Sequence, residues 1–358
     1  MNPLDSLAVS DGALTFRGAR DVDVRALTDP AALARWRALG LLPLAAYLLK
    51  GHPQADRIPP DVRTSLEAAL LKGRAVAARW AAALDRVAEA LARATVPVVL
   101  FKGADFAFHV YPDPGLRSMV DLDLVVPLAR LDDAQDALRR AGFRDDTSCY
   151  SVEWYRAGLQ RLAPLVDDRS GVEIEVHGSL VPSFSPYCPP EQEVWSDTLA
   201  SAWPACSRLS RTWAVWHLVW HATVGHARGS GVFDRATADL LALHGRSGVE
   251  PIDWPGVLAL ASATGLSGSL AELLTSAAAH SGCEDLRPVA DEARQRASAR
   301  RTSERLRFLR HRVRQLAPFL GSRRSFSPAL WQQACRRPAR LAASILRRSR
   351  ERAPRGAA

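Results

Sequence analysis

Apolar residues recur at three- and four-residue steps through residues 30–94, most clearly in SLEAALLKGRAVAARWAAALDRVAEALARA, and this spacing predicts helix. The period then changes. Residues 95–103 (TVPVVLFKG) form a short β-branched run ending in glycine, and residues 118–126 (SMVDLDLVV) and 171–180 (GVEIEVHGSL) alternate as strands, with 151–155 (SVEWY) a further strand-like run. Between them lie a turn at 111–115 (YPDPG) and an amphipathic helix over 128–143, with Gly142 placed to end it. From 212 onward the helical period returns in TWAVWHLVWHATVGHA (212–227) and FDRATADLLALH (233–244), and continues in Ala/Leu-rich segments to about residue 318. Strand signals are thus confined to about 95–180. The pattern predicts an α+β protein, a small mixed sheet flanked by helical regions. The expected divisions are a helical N-terminal region (1–94), a core (95–205), a helical C-terminal domain (206–318) and a basic tail (319–358).

Composition narrows the class. The 358 residues suffice for two cores at about 150 residues per domain. The 47% hydrophobic and 24% charged content is ordinary globular usage. The longest apolar stretch, GLLPLAAYLL at 40–49, is about half of what a membrane-spanning helix requires. The N-terminus lacks a secretory pattern, and five scattered cysteines with no C-x-x-C pair disfavour a disulfide framework or thiolate zinc site. A cytoplasmic location is the expectation. The net charge of +9 divides unevenly: residues 299–358 hold 17 arginines against Glu304 and Glu351, or +15, leaving 9 − 15 = −6 for the rest. With 44 arginines beside only Lys50, Lys72 and Lys102, arginine abundance alone is no nucleic-acid signal.

The chemistry concentrates in the strands. Asp121 and Asp123 stand two residues apart, on one face, roughly 6.6 Å apart at about 3.3 Å per residue, with Val120, Leu122, Leu124 and Val126 on the other. Like charges so placed repel unless solvent or a cation compensates, and hard oxygen ligands suit Mg²⁺. In V-E-I-E-V-H, Glu173 and Glu175 likewise share a face and either could supply a third carboxylate. The bland alternative is an edge strand with a polar outer surface. In L-F-K-G-A-D-F, Gly103 is placed to turn the chain into a helix whose amides face a phosphate, with Lys102 adding charge, while Asp105 is placed to cap that helix.

The run VVLFKGADFAFHVYPDPGLRSMVDLDLVVPLARLDDAQDALRRAGF, with the later V-E-I-E-V-H, resembles an uncharacterised nucleotidyltransferase family of the DNA polymerase beta-like superfamily. That family's pattern is L-K-G, then Tyr-Pro, then Arg and D-x-D-L-L-V, and the resemblance covers about 95–245. It implies a nucleotidyltransferase-type sheet and an enzyme that moves a nucleoside monophosphate from a nucleoside triphosphate to an acceptor hydroxyl, using Mg²⁺. Asp121, Asp123 and Glu175 are the implied catalytic metal ligands, with Glu173 second to Glu175. Gly103 is the implied turn against the phosphates, and Lys102 and Arg117 are candidates for the triphosphate, unless Arg117 pairs with Asp121 or Asp113 instead. The chain has Gly103-Ala104 where the superfamily usually has Gly-Ser, and glutamate where the third acid is often aspartate. The acceptor is a small molecule, peptide, protein or RNA. The competing reading is an inactive protein of the same fold that binds RNA or a protein partner.

His217 and His221 sit four residues apart, a zinc-ligand spacing, but L-V-W between them lacks the glutamate of H-E-x-x-H. A buried histidine pair against the sheet, near Asp239, is the preferred reading, with Trp213, Trp216 and Trp220 as core. His177 and His226 read as supporting the site residues or as structural, more than as catalytic. The arginine tail is assigned to an intramolecular or partner contact before nucleic acid or lipid.

Overall fold

The computed structural model describes residues 7–10, 13–16, 29–50, 52, 55–146, 155, 161–182, 184–225, 231–245, 251–281, 283–299 and 301–321. In chain order it opens with the hairpin β1 (Leu7–Ser10) and β2 (Ala13–Phe16), then helices α1 (Pro30–Ala38), α2 (Leu42–Leu49) and the long α3 (Pro60–Arg93). β3 (Val98–Leu100) leads into a helical turn, α4 (Lys102–Asp105), which widens into a π-helical segment at Phe106–Val110. β4 (Leu122–Val125), α5 (Leu131–Arg140), β5 (Phe143–Asp145), β6 (Leu165–Asp167) and β7 (Glu173–His177) follow. After α6 (Glu191–Ser196), β8 (Thr198–Ala200) and β9 (Cys206–Leu209), the chain is helical: α7 (Arg211–Trp220), α8 (Val232–His244), α9 (Trp254–Thr264), α10 (Ser267–Ser281), α11 (Leu286–Ala299) and α12 (Arg301–Gly321).

Seven strands form one mixed sheet in the order β5-β6-β7-β4-β3-β9-β8. The central pairs β4/β7 and β3/β9 are parallel and the others antiparallel. Alternation sorts the two faces. Val98, Leu100, Leu122, Leu124, Ile174 and Val176 pack on one side against Leu84, Val87 and Leu91 of α3 and Leu138 of α5. Each such fully buried side chain contributes about 1.5–3 kcal/mol. On the other side Val99, Phe101 and Val125 join a larger core that unites Trp36 and Leu44 of the N-terminal helices with Trp213, Trp216, Trp220, Leu241 and Leu274.

Several expectations change here. Strands are not confined to 95–180: β1 and β2 lie in the region expected to be helical, and β8 and β9 follow residue 180. The boundary expected at 205/206 falls inside the sheet, because β9 pairs with β3 through Val98↔Cys206 to Leu100↔Arg208. Val120 precedes β4 and is 78% exposed, so it does not share the apolar face. Gly142 ends α5 as expected, with φ of +90°. The SVEWY run, apart from Tyr155, which is not in a strand, lies outside the described residues, as do His226 and residues 322–358.

The turn that carries Arg117 is held by contact between two glycines. A side chain at Gly73 of α3 would place its Cβ 2.2 Å from the Gly115 carbonyl oxygen, and one at Gly115 would lie 2.6 Å from the Arg74 nitrogen. Arg74 Nε bonds Asp113 at 2.6 Å beside this contact. α3 thereby fixes the Pro114–Leu116 turn against the helical wall.

Candidate functional site

Parallel pairing of β4 with β7 sets Asp123 opposite Glu175, and Val125 opposite His177. Because alternate residues share a face, Asp121, Asp123, Glu173, Glu175 and His177 belong to the side away from Leu122, Leu124, Ile174 and Val176. The face with the acids is not a solvated outer surface: Asp123 is 3% exposed. Its Oδ1 accepts from Lys102 Nζ at 2.5 Å and contacts His177 Nε2 at 3.0 Å. His177 Nε2 also lies 3.4 Å from Glu175 Oε2, which forms an ion pair with Arg161. Ligand atoms of Asp123, Glu175 and His177 all lie within 4.8 Å of one another.

The charges set the protonation of the group. Burial, followed by the negative charge of Asp123, pushes the Asp121 carboxyl up to about 6. Burial raises Asp123 as well, but Lys102 and His177 outweigh it and hold the carboxyl well below the usual carboxylate range. Glu175 is lowered to about 2, because the hydrogen bond and charge of His177 and the charge of Arg161 exceed the effect of burial. Glu173, by contrast, is raised by burial and by Glu175. Four carboxyl groups therefore face Lys102, Arg161 and the His177 ring. The hard oxygen donors fit Mg²⁺, which takes carboxylate ligands and keeps open positions for phosphate and water.

At the turn after β3 the left-handed residue is Lys102, with φ of +54°, and not Gly103. This corrects the expectation that Gly103 supplies the bend. A non-glycine residue there is strained by about 1 kcal/mol or more, and the Lys102–Asp123 ion pair holds it in place. Gly103 instead permits close approach: a Cβ would meet Met119 Cγ at 2.9 Å. Asp105 does not cap the helix. It ends α4, is 1% exposed, and its Oδ1 lies 3.3 Å from His109 Nδ1 and 3.9 Å from Arg208.

Arg117 pairs with neither Asp121 nor Asp113 but with Asp239, 122 residues away. Nε lies 2.9 and 3.2 Å from the two carboxylate oxygens and Nη2 2.9 Å from Oδ2, while Tyr111 Oη donates to Oδ1 at 3.0 Å. Asp239 is 1% exposed. Arg117 is thus committed to a buried structural pair that joins the loop before β4 to α8.

Lys102, Arg117 and Asp239 line one cavity of about 70 Å³ together with His217 and His221. The two histidine rings are 5.8 Å apart, and His217 also packs edge-on against Phe101, 5.0 Å away, which in turn meets His177 at 5.3 Å. Trp213, Trp216 and Trp220 are buried as expected. His177, read from sequence as a supporting or structural residue more than a catalytic one, contacts both strand acids. Its position two residues after Glu175 on the same face was the available signal. Among the described residues, the ligand atoms of His244 at the end of α8 and of Cys283 and Asp285 in the connection between α10 and α11 form the other group within 4.8 Å.

The model of a family described as uncharacterised nucleotidyltransferase matches residues 27–282, well over half of the chain. No curated protein and no solved structure matches it. Among the described residues no helix is long and apolar enough to cross a membrane. The mixed sheet with helices around it, the paired acidic strands and the extent of the family match lead to one conclusion: the chain belongs to the uncharacterised nucleotidyltransferase family.

Proposed function

We propose that the protein transfers a nucleoside monophosphate from a nucleoside triphosphate to an acceptor hydroxyl in a Mg²⁺-dependent reaction. The observation that carries this reading is the register Asp123↔Glu175 on adjacent parallel strands, with Asp121 two residues upstream and Lys102 bonded to Asp123. Asp121, Asp123 and Glu175 would hold the cation. Bound there, Mg²⁺ supplies charge for the phosphates and for the attacking oxygen. The remaining contributions belong to the chain. Glu175, held low by His177 and Arg161, stays ionised and is suited to keep a cation and not to take a proton. Asp121, raised to about 6, is the more basic carboxylate, and near neutral pH it would add its negative charge to the residues that hold the cation.

Lys102 lies at the turn where phosphates would approach, and it must leave or share Asp123 as the cation binds. Gly103 beside it is packed against Met119. In the reaction the acceptor oxygen bonds to the α-phosphorus, the bond from α-phosphorus to the bridging oxygen breaks, and pyrophosphate departs with that oxygen. The acceptor's proton passes to a carboxylate of the cluster or to solvent. Such chemistry relies on position and charge and needs no covalent intermediate.

The test is incubation of the purified protein with Mg²⁺ and the four ribonucleoside triphosphates, with pyrophosphate release and added nucleotide mass on co-purified material as readouts. Asp121→Ala with Asp123→Ala abolishes both. Failure of the wild-type protein to bind or consume any of the four overturns the reading.

A further inference from the structure

Three side chains of different donor chemistry meet where the end of α8 approaches the connection between α10 and α11. His244, the last residue of α8, places Nε2 2.8 Å from Asp285 Oδ2. Cys283 joins them: one donor atom from each of the three lies within 4.8 Å of the other two. Local structure holds these donors. The His244 ring packs 6.2 Å from the ring of Trp254 at the start of α9. The Leu286 amide donates to the Cys283 carbonyl at 3.2 Å, a turn that enters α11 and carries Cys283 and Asp285 together. Within that turn Glu284 pairs with Arg287 at 2.8 Å, so Asp285 is the carboxylate that faces His244. Cys283 is 7% exposed and the Asp285 side chain 66%, so the cluster runs from the core to the surface.

The donor set specifies the ligand. An ion pair accounts for His244 beside Asp285 but not for a thiol beside both. Thiolate sulfur, imidazole nitrogen and carboxylate oxygen together are donors that Zn²⁺ takes, whereas Mg²⁺ and Ca²⁺ favour oxygen alone. Zn²⁺ holds nitrogen and oxygen at about 2.0–2.2 Å and sulfur at about 2.3 Å, which sets tetrahedral donors roughly 3.3–3.7 Å apart. The observed separations bracket that range, and the 2.8 Å contact needs to open by roughly half an ångström, which the exposed Asp285 side chain has room to do. His244 also lies in the last turn of α8, where the partial negative charge of the helix end favours a cation. No C-x-x-C pattern marks the cluster in the sequence, because its donors come from separate elements.

We propose that His244, Cys283 and Asp285 bind Zn²⁺ through a ring nitrogen, the thiolate sulfur and a carboxylate oxygen, with water in the fourth position. On binding, the Cys283 thiol proton passes to solvent and the sulfur bonds the ion as thiolate. The ion clips the end of α8 to the α10–α11 connection. Because α8 also carries Asp239, the clip steadies the helix that anchors Arg117 and the loop before β4. None of the three residues belongs to the acidic strands, so the inference stands whether or not the chain transfers nucleotides.

Co²⁺ titration of the untagged full-length protein tests it, under a phosphine reductant and with Mg²⁺ in excess to compete for the carboxylates. The readout is the thiolate-to-cobalt charge-transfer absorption in the near ultraviolet, which the strand acids and His177 cannot produce. The band is expected to saturate at one equivalent, to disappear when Zn²⁺ displaces Co²⁺, and to be absent in Cys283→Ser. Asp285→Ala and His244→Gln each weaken Co²⁺ binding at least about tenfold, no less than the loss of an outer-shell partner costs a metal site. Absence of the band in the wild type, a band that survives Cys283→Ser, or unchanged affinity in Asp285→Ala overturns the proposal. If Cys283→Ser does not fold, the wild type and Asp285→Ala, altered at an exposed side chain, decide between them.

Discussion

Substituting Arg117 by methionine removes the guanidinium from Asp239 while keeping most of the side-chain volume. Three N–O contacts of 2.9–3.2 Å are lost, and the carboxylate, 1% exposed, keeps the Tyr111 hydroxyl at 3.0 Å and the more distant charge of Arg235. Removing one partner of a buried ion pair leaves an uncompensated charge and costs about 3–5 kcal/mol. At about 1.4 kcal/mol per tenfold, the unfolding equilibrium shifts by roughly a hundred- to several-thousand-fold. Tyr111→Phe costs less, about 1 kcal/mol, because the guanidinium remains. The double change Arg117→Met with Asp239→Leu recovers more than half of the single loss, since no charge is stranded. Urea denaturation followed by tryptophan fluorescence measures the wild type, Arg117→Met, Asp239→Leu, their double variant and Tyr111→Phe. A loss below about 1 kcal/mol for Arg117→Met, or a double variant that equals the sum of its singles, refutes the reasoning that burial of the pair sets the energy.

Gly73→Ala drives a methyl group into the Gly115 carbonyl, and overpacking of this kind costs about 1–3 kcal/mol or more; thermal denaturation should show a lower midpoint, and an unchanged one contradicts the glycine contact. Asp121 has its pKa raised from 3.8 to about 6 on folding, so the folded state binds the extra proton and stability falls as pH rises from about 4 to 6. Asp121→Asn is therefore expected to stabilise the metal-free protein at pH 7, with the gain vanishing near pH 4; equal gains at both pH values would count against a strained carboxyl. Mg²⁺ added to the wild-type protein should raise the melting temperature at pH 7 and do little at pH 4.5, whereas Asp121→Asn should blunt the rise at pH 7. Lys102→Met strands Asp123 beside His177 and is expected to lower stability by a few kcal/mol, roughly the cost of breaking a buried pair; no change in urea midpoint would contradict it.

The acidic strands were legible because alternation is a local property. D-x-D and E-x-E each display their own face, and parallel pairing needed only to bring the two faces into register. The apolar α3 and the tryptophans of α7 were legible for the same reason. β9 was not, since C-S-R-L has no apolar alternation of its own and becomes a strand through its neighbour β3. Likewise nothing near Arg117 in the sequence indicates Asp239, a partner supplied by a helix 122 residues away. The bend at Lys102 defeated a sound local rule, that glycine takes positive φ, because the buried Asp123 anchors the lysine side chain. His177 received only a supporting or structural reading, because its contact with Asp123 depends on the strand opposite.

The larger core joins Trp36 and Leu44 to Trp213 and Leu274 over one face of the sheet at β3, β4 and β9. Anyone wishing to dissect this protein genetically inherits a constraint from that arrangement. A truncated clone beginning at residue 95 would lack Trp36, Leu44 and their share of that core, and one ending at 205 would strip the sheet of β9. Activity in such fragments would speak about aggregation before it spoke about chemistry, so point substitutions within the intact chain are the sharper instrument.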